Sequence, residues 1–338
     1  MLRSGLMVPV LSNRETYNMK WYTTLVISAA VAALPIANSM AADSYPSQPI
    51  SLIVGFPPGG GADVLARTIA PKLEKQLGAT IVVENKPGAS GIIATQETSR
   101  KPANGYHLYL ATPGSLTILP NMQKVSYDPA KFTAISVLVT MPNVLVTSAQ
   151  SKLKTVEDVI AYAKTGKMTY ASGGNGTIGQ MAGEQFNMLA DVKMQHIPYR
   201  GTSPALVDVA GGTVDVTFSD PSVKSLIKGG KLRPVAVTST EPSGEFPDVP
   251  TVDGSGVKGF EVVNWYGVLG PEGMPADIVE KLNKALVTVM KDPEVIKTLA
   301  LQGGMTATSS TPEEFAQLMA NERKKWGTLV EKAGIAIE

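Results

Sequence analysis

The chain has 338 residues, 43% of them hydrophobic and 17% charged, a balance that suits folded domains with sizeable apolar cores and not a disordered chain. Its 30 basic and 29 acidic side chains leave a formal charge of +1, so no strong field exists to draw in nucleic acid or an anionic membrane surface. Cysteine is absent, which excludes disulfides, thiolate metal sites and a cysteine nucleophile.

At the N-terminus, Lys20 precedes an apolar stretch over residues 21–37, followed by Asn38, Ser39, Met40, Ala41 and Ala42. A basic residue, a short apolar core and small residues at the −3 and −1 positions make a secretory signal, expected to span residues 1–41 and to be cut after Ala41 or Ala42. Met19 makes a natural start for such a signal, which would leave residues 1–18 as an extension of the gene reading. The alternative is an uncleaved anchor, but the run is short for a bilayer span and ends in polar residues. The mature chain is therefore expected to begin near Ala42, outside the cytoplasmic membrane.

From there, short apolar runs alternate with helical patterns, the sign of an α/β protein. Ile50–Val54 is a strand candidate that ends in Gly55-Phe56-Pro57-Pro58-Gly59-Gly60-Gly61. A helix is expected from near Asp63, with Leu65, Ile69, Leu73 and Leu77 on one face and Gly78 as its stop. Residues 81–84 form a second strand, closed by the turn Asn85-Lys86-Pro87-Gly88. His107–Ala111 forms a third, followed by Thr112-Pro113-Gly114-Ser115. Residues 134–140 and 144–147 read as two strands separated by Met141-Pro142-Asn143, taken as one crossing between lobes. Thr155 caps a helix, and residues 168–171 form a strand that leads into Ser172-Gly173-Gly174-Asn175-Gly176-Thr177 and a helix carrying Ala182, Phe186 and Leu189. Further strands are expected at residues 214–218 and 234–238, with residues 260–265 as the return crossing. Pro275, Pro293 and Pro312 each suit a first helical turn. Phe315, Leu318, Met319, Trp326 and Leu329 give the last helix an apolar packing stripe.

The informative feature is a pair of strand–glycine turn–helix units, at residues 56–63 and 172–177, one in each half of the chain. A helix start leaves N–H groups without partners and a partial positive charge. Glycines remove the side chains that would hold an anion away from those groups. Pro57 and Pro58 stiffen the first turn before any ligand arrives. The first turn is not a Walker loop, since no Gly-Lys-Ser/Thr follows, and it breaks the dinucleotide spacing. A negative charge placed at Gly60 or Gly174 is expected to expel an oxyanion held there. Asp63, in the first helical turn, is expected to cap main-chain N–H groups in preference to meeting ligand.

Taken together, Tyr45-Pro46-Ser47-Gln48-Pro49-Ile50, residues 56–67, residues 83–91, residues 171–177, Pro198-Tyr199-Arg200-Gly201, residues 229–233 and Trp265-Tyr266-Gly267 resemble the periplasmic receptors of tripartite tricarboxylate transporters, the Bug family. The resemblance covers nearly the whole expected mature chain, in family order. It implies a type II periplasmic-binding fold: two α/β lobes joined by a hinge of two crossing segments, with lobe 1 at 42–143 plus 267–338 and lobe 2 at 144–266. It implies a receptor that holds a small carboxylate, a di- or tricarboxylate or an aromatic one, and hands it to membrane permease subunits. No cofactor, metal or nucleic acid is implied, and a monomer is expected.

The resemblance also implies that Phe56, Pro58, Gly59, Gly60 and Gly61 on one side, and Ser172, Gly174, Asn175, Gly176 and Thr177 on the other, clamp the ligand carboxylate. Thr112, Ser115, Arg200, Gly201, Phe218, Asp220 and Trp265 would border the same cleft. The sequence departs from the family at Gln180, where His is frequent, at Ser203, where Gly is frequent, and at Phe218-Ser219-Asp220, where Phe-Asp-Asn is common. By the resemblance, these departures are expected to leave the carboxylate clamp intact and to bear on the ligand's distal end. Asp220 suits a hydroxyl or ammonium and disfavours a second carboxylate, whereas Arg200 could pair with one.

An enzymatic role finds little support in the residues. The chain has two histidines, His107 and His196, both expected to be structural, and neither a Gly-x-Ser-x-Gly elbow nor a His-Glu-x-x-His zinc motif. Glu157-Asp158 and Glu313-Glu314 fall in first helical turns, where capping explains them. A sensory co-receptor that presents the same carboxylate to a membrane kinase is the alternative to transport, and a hydrolase the more distant one.

Overall fold

A computed structural model of the chain describes residues 45–337, so the expected secretory signal lies outside the described residues. The chain forms two lobes, each a sheet covered by helices on both faces. The first sheet holds β1 (Ile50–Val54), β2 (Ile81–Asn85), β3 (His107–Ala111), β4 (Thr133–Pro142), β10 (Val263–Gly270) and β11 (Thr306–Ala307), in the order β11-β4-β10-β3-β1-β2. The second holds β5 (Val144–Ser148), β6 (Thr169–Ser172), β7 (Gln195–Pro198), β8 (Val216–Ser219) and β9 (Leu232–Val237), in the order β7-β6-β8-β5-β9. In each sheet parallel strands are flanked by antiparallel ones.

Strand β1 is an almost unbroken apolar run because helices cover both its faces. Helix α1 (Gly61–Leu77) lays Leu65, Ile69 and Leu73 on one face of the first sheet, together with α8 (Ala276–Met290) and α9 (Pro293–Gly303). Gly78 ends α1 at φ +71, and its N–H bonds the Glu74 carbonyl. The other face is closed by α2 (Ile92–Ser99) and by the first half of the last helix, labelled α10 below. In the second lobe α4 (Val156–Ala163) and α5 (Ile178–Leu189) cover one face, and α6 (Thr202–Gly211) and α7 (Lys224–Lys228) the other. The short α3 (Leu119–Met122) follows a single wide π-turn over Gly114–Ile118. Thr155 and Asp158 form a reciprocal cap at α4, as the sequence predicts for Thr155.

Helix α10 (Pro312–Ala333) is longer in reach than its apolar stripe suggests. Phe315 and Met319 pack on the first sheet, whereas Trp326, Leu329 and Val330 pack with the core of the second, against α5. Glu322 sits at the changeover, 8% exposed, and accepts from Trp265 Nε1 (2.9 Å) and Trp326 Nε1 (3.1 Å). Burial raises its pKa, while the two indole donors act in the opposite direction.

The chain passes between the sheets at Asn143, between β4 and β5, and returns through Thr238 and Val262 into β10. The two passages are tied together. Thr238 N–H donates to Asn143 O (2.9 Å), Asn143 N–H to Thr238 Oγ1 (2.7 Å), and Val262 N–H to Thr238 O (2.9 Å). Strand β4 extends past the predicted residues 134–140 because β10 pairs with it along its whole length, from Val263 opposite Pro142 to Gly270 opposite Thr133. Leu189, the last residue of α5, is 37% exposed.

Candidate functional site

Strand β1 ends at Val54, and the polypeptide turns through Gly55 and Phe56 into the Pro57–Gly60 loop before α1 begins. Asp63 is buried under this loop, with its carboxylate turned back towards it. It accepts from Gly59 N–H (2.9 Å), from Arg67 Nε (2.9 Å) and from Asn85 Nδ2 (2.9 Å). Burial pushes the Asp63 pKa up, but the Arg67, Gly59 and Asn85 donors outweigh it and hold the group below the usual aspartate range. The capping role expected of Asp63 therefore has a cost for the clamp: the Gly59 amide is already occupied. Gly60 N–H points back to Pro57 O at 3.5 Å, a weak bond. Gly61 lies under Tyr266, whose hydroxyl comes within 3.3 Å of the position a Gly61 Cβ would take.

The second turn is held by its own side chains. Gly174 N–H donates to Ser172 Oγ (3.2 Å), Gly176 N–H to Gln180 Oε1 (2.8 Å), and Thr177 Oγ1 to Gly174 O (2.7 Å). Thr177 is the N-cap of α5, in extended conformation, and its side chain does not cap the helix. The amides of Thr177, Ile178 and Gly179 thus have no partner among the described residues, and together with the helix dipole they form an anion-binding end. Gly201 holds φ +111 at the start of α6, which brings Thr202 beside Gly173.

Between the lobes these turns enclose a cavity of about 160 Å³. Phe56, Ser90, Thr112, Pro113, Gly114, Asn264 and Tyr266 contribute from the first sheet and its loops, and Gly176, Thr177, Ile178, Thr202 and Asp220 from the second. The lobes touch beside it: a Cβ on Gly176 would lie 2.2 Å from Leu119 Cδ2, and one on Gly304 would lie 2.3 Å from Pro221 Cβ. A larger hollow of about 460 Å³ between α5 and α10 is lined by helix flanks, including Met188, Lys325 and Leu329, and meets no helix N-terminus.

Residues 65–335 match the sequence profile of the tripartite tricarboxylate transporter family receptor. The chain belongs to this receptor family. It is 33% identical to protein BugT of Bordetella pertussis over 322 residues, which are 93% of this chain and 98% of BugT. Among solved structures, R. palustris Rpa4515 with adipate is similar at TM-score 0.77 and 31% identity, over 86% of this chain and 99% of that one. The periplasmic binding protein BugD is similar at TM-score 0.75 and 32% identity, over 87% of this chain and all of BugD. MatC of Rhodopseudomonas palustris, with bound malate, is similar at TM-score 0.74 and 29% identity, over 85% of this chain and all of MatC.

Of the receptor residues singled out in the sequence, Phe56, Thr112, Gly176, Thr177 and Asp220 line the cavity. Pro58, Gly59 and Gly60 form an exposed rim, with Gly61 half-buried behind it. Asn175 and Arg200 are exposed, and Gly201 is half-buried.

Three residues expected at the cleft are core side chains instead. Trp265 is 2% exposed, because its indole is drawn to Glu322 and packs edge-on against Phe315. The neighbouring residue Tyr266 takes its place in the cavity. Phe218 stacks with Phe260 in the second core. Ser115 is fully buried and accepts from Thr95 Oγ1 at 2.7 Å. Ser172 is buried as well, and supports the turn without lining the cavity.

Ser90, Ile178, Thr202, Asn264 and Tyr266 line the cavity without being singled out by the sequence, whereas Pro113 and Gly114 lie in the loop from Thr112 to Ser115 that is expected there. Ser90 holds φ +51 and follows Ala89 at φ +46, backbone conformations unfavourable for both residues. Gly174 sits at φ +130 with Tyr199 O 3.1 Å from any added Cβ, so Gly174→Asp would strain the turn and is not the clean test the sequence suggests.

The family is one of transporter receptors, and an arrangement among the described residues that resembles catalytic machinery is structural. Ser172 Oγ lies 2.7 Å from His196 Nε2, but the serine is buried and the ring stacks on Tyr170. Burial lowers the His196 pKa to about 4, so the ring is neutral near pH 7. Among the described residues no group of three or more His, Cys, Asp or Glu could hold a metal ion.

Proposed function

We propose that this periplasmic receptor captures a small carboxylate in the cavity between its lobes and delivers it to membrane permease subunits, acting as a monomer exported by a cleaved signal that ends near Ala41. The observation that carries the proposal is the set of amides at Thr177, Ile178 and Gly179 without a partner among the described residues: Thr177 and Ile178 line the cavity, Gly179 lies buried behind them, and none of the described residues in the lining is cationic. An anion can be held there by main-chain donors alone. Similar receptors were solved with adipate and with malate, both carboxylates.

In this proposal the rim at Pro58, Gly59, Gly60 and Gly61 comes down on the ligand from the other lobe, and Gly174 and Asn175 shape the second turn. The lobes divide at 143/144 and near Val262, because β10 from Val263 onward belongs to the first sheet and not, as the expected 266/267 boundary has it, partly to the second lobe; they rotate about the Asn143–Thr238 tie, with α10 bent or carried along because it packs on both. Affinity is expected at micromolar order, about −8 kcal/mol.

The test is a thermal-shift screen of C4–C6 aliphatic and aromatic carboxylic acids against the protein from residue 42 onward. An acid at about 100 times its dissociation constant stabilises the folded state by roughly 2.7 kcal/mol, enough to move the melting point by several degrees. The amide analogue of the same acid is expected to give no shift. Equal shifts from acid and amide would sink the proposal.

A further inference from the structure

Glu322 is a buried carboxylate at the point where α10 leaves the core of the first lobe for that of the second. Its Oε2 accepts from both indoles, Trp265 Nε1 at 2.9 Å and Trp326 Nε1 at 3.1 Å, and the Thr117 hydroxyl lies 3.4 Å from the same atom. An indole N–H can only donate. One oxygen therefore sets the orientation of two rings, Trp265 in the first core and Trp326 in the second. Taking a carboxylate out of water is costly, and an apolar side chain between two cores would not bear that cost. A buried polar group that is fully hydrogen-bonded fixes one arrangement of its surroundings.

The arrangement around Glu322 leads to the cavity from both lobes. With Trp265 turned inward to the carboxylate, its neighbour Tyr266 is left on the other side of β10, in the cavity lining. The Thr117 hydroxyl donates to Pro113 O (3.0 Å), and Pro113 and Gly114 are lining residues too. Asn121 Nδ2, one turn on, donates to Thr117 O (2.8 Å) and to Arg323 O (3.1 Å), which ties this segment to α10 at the residue after Glu322. In the second lobe, Trp326 shares a core with Met181, Ala182 and Phe186 of α5, the helix that starts at the cavity. Ile118, Leu119 and Met122 join the same core. We propose that Glu322 is a positioning residue for solute capture: from outside the cavity, its carboxylate holds the Pro113–Gly114 loop and Tyr266 of the first lobe in place against α5 of the second. That these walls serve a solute rests on the carboxylate site proposed above. That Glu322 holds them does not, and the test is read without ligand.

Amide hydrogen exchange of the protein from residue 42 onward, followed by mass spectrometry, reads the cavity walls separately from the rest of the molecule. Glu322→Gln keeps the shape and an acceptor oxygen but removes the charge that strengthens both indole bonds. It is expected to raise exchange about ten-fold at residues 113–122 and 180–189. Strand β2, at the far edge of the first sheet, and α6, on the other face of the second, are expected to exchange as before. Trp265→Phe removes one of the two donors and keeps a ring, and is expected to raise exchange at residues 113–122 more than in α5. Unchanged exchange at both walls in Glu322→Gln, or an equal rise in β2 and α6, would make Glu322 an ordinary core residue and overturn the proposal. If Glu322→Gln does not fold, Trp265→Phe decides by the same comparison of the 113–122 segment with β2 and α6. Should the walls respond as expected while no carboxylic acid binds, the carboxylate site falls and the role of Glu322 stands.

Discussion

Ile178→Pro is expected to weaken carboxylate binding by roughly 10- to 100-fold while leaving helix α5 in place. Ile178 is the first residue of the helix, the position where proline is best tolerated, since its N–H has no helical partner. Thr177 before it is already extended, at φ −88 and ψ 155, the conformation a following proline demands. The substitution therefore removes one amide hydrogen and little else from the backbone. A charge-assisted bond to a carboxylate is worth about 1.5–3 kcal/mol, which sets the size of the effect. Ile178 also packs against the second core, so some stability is lost, roughly 1 kcal/mol. Ile178→Ala separates the two contributions: it loses the packing and keeps the amide, and is expected to melt lower but to bind within a few-fold of the unaltered protein. Calorimetry on both variants decides whether the amide or the side chain matters.

Gly60→Asp is expected to move stability and affinity in opposite directions. Gly60 is the N-cap of α1 at φ −78 and ψ 166, where any residue fits, and a Cβ there would come no closer than 3.6 Å, to Pro57 O. Aspartate caps a helix a few tenths of a kcal/mol better than glycine and favours the dipole. The melting temperature should hold or rise slightly. Binding should fall by about 100-fold, since two carboxylates about 5 Å apart repel by roughly 3 kcal/mol at an effective dielectric of about 20. Gly60→Asn makes the same cap without the charge and is expected to bind nearly normally. Equal affinity in the aspartate and asparagine variants would remove the first turn from the clamp and leave the α5 amides to act alone.

What the sequence made legible was mostly local. The apolar run Ile50–Val54, the Gly78 stop of α1, the Thr155 cap and proline at the start of α10 each depend on residues within one turn of each other. The two glycine turns could be found because a strand, glycines and a helix follow in order, and their residues do flank the interlobe cavity. Which amides remain available was harder to see. Asp63 takes Gly59 N–H and Gln180 takes Gly176 N–H, both four residues away, so a count of side-chain acceptors near each turn could have shown it.

The exchange of Trp265 for Tyr266 could not be read that way. Adjacent strand residues face opposite sides, and the side given to each is set by Glu322, 57 residues further on. Ser90 was passed over because the turn residues at 85–88 explained the segment, and positive φ at an alanine and a serine leaves no mark in composition. The double role of α10 was hidden for a related reason. Its stripe is one continuous face, and only tertiary packing divides it between two cores at Glu322.

The central claim is that main-chain N–H groups at the start of α5, and no cationic side chain, grip the solute's acid group. A crystal structure of the occupied protein tests it most directly. The claim predicts carboxylate oxygens about 2.7–3.1 Å from the amide nitrogens of residues 177–179. A carboxylate held by Arg200 or a lysine, or one lodged in the hollow between α5 and α10, would contradict it.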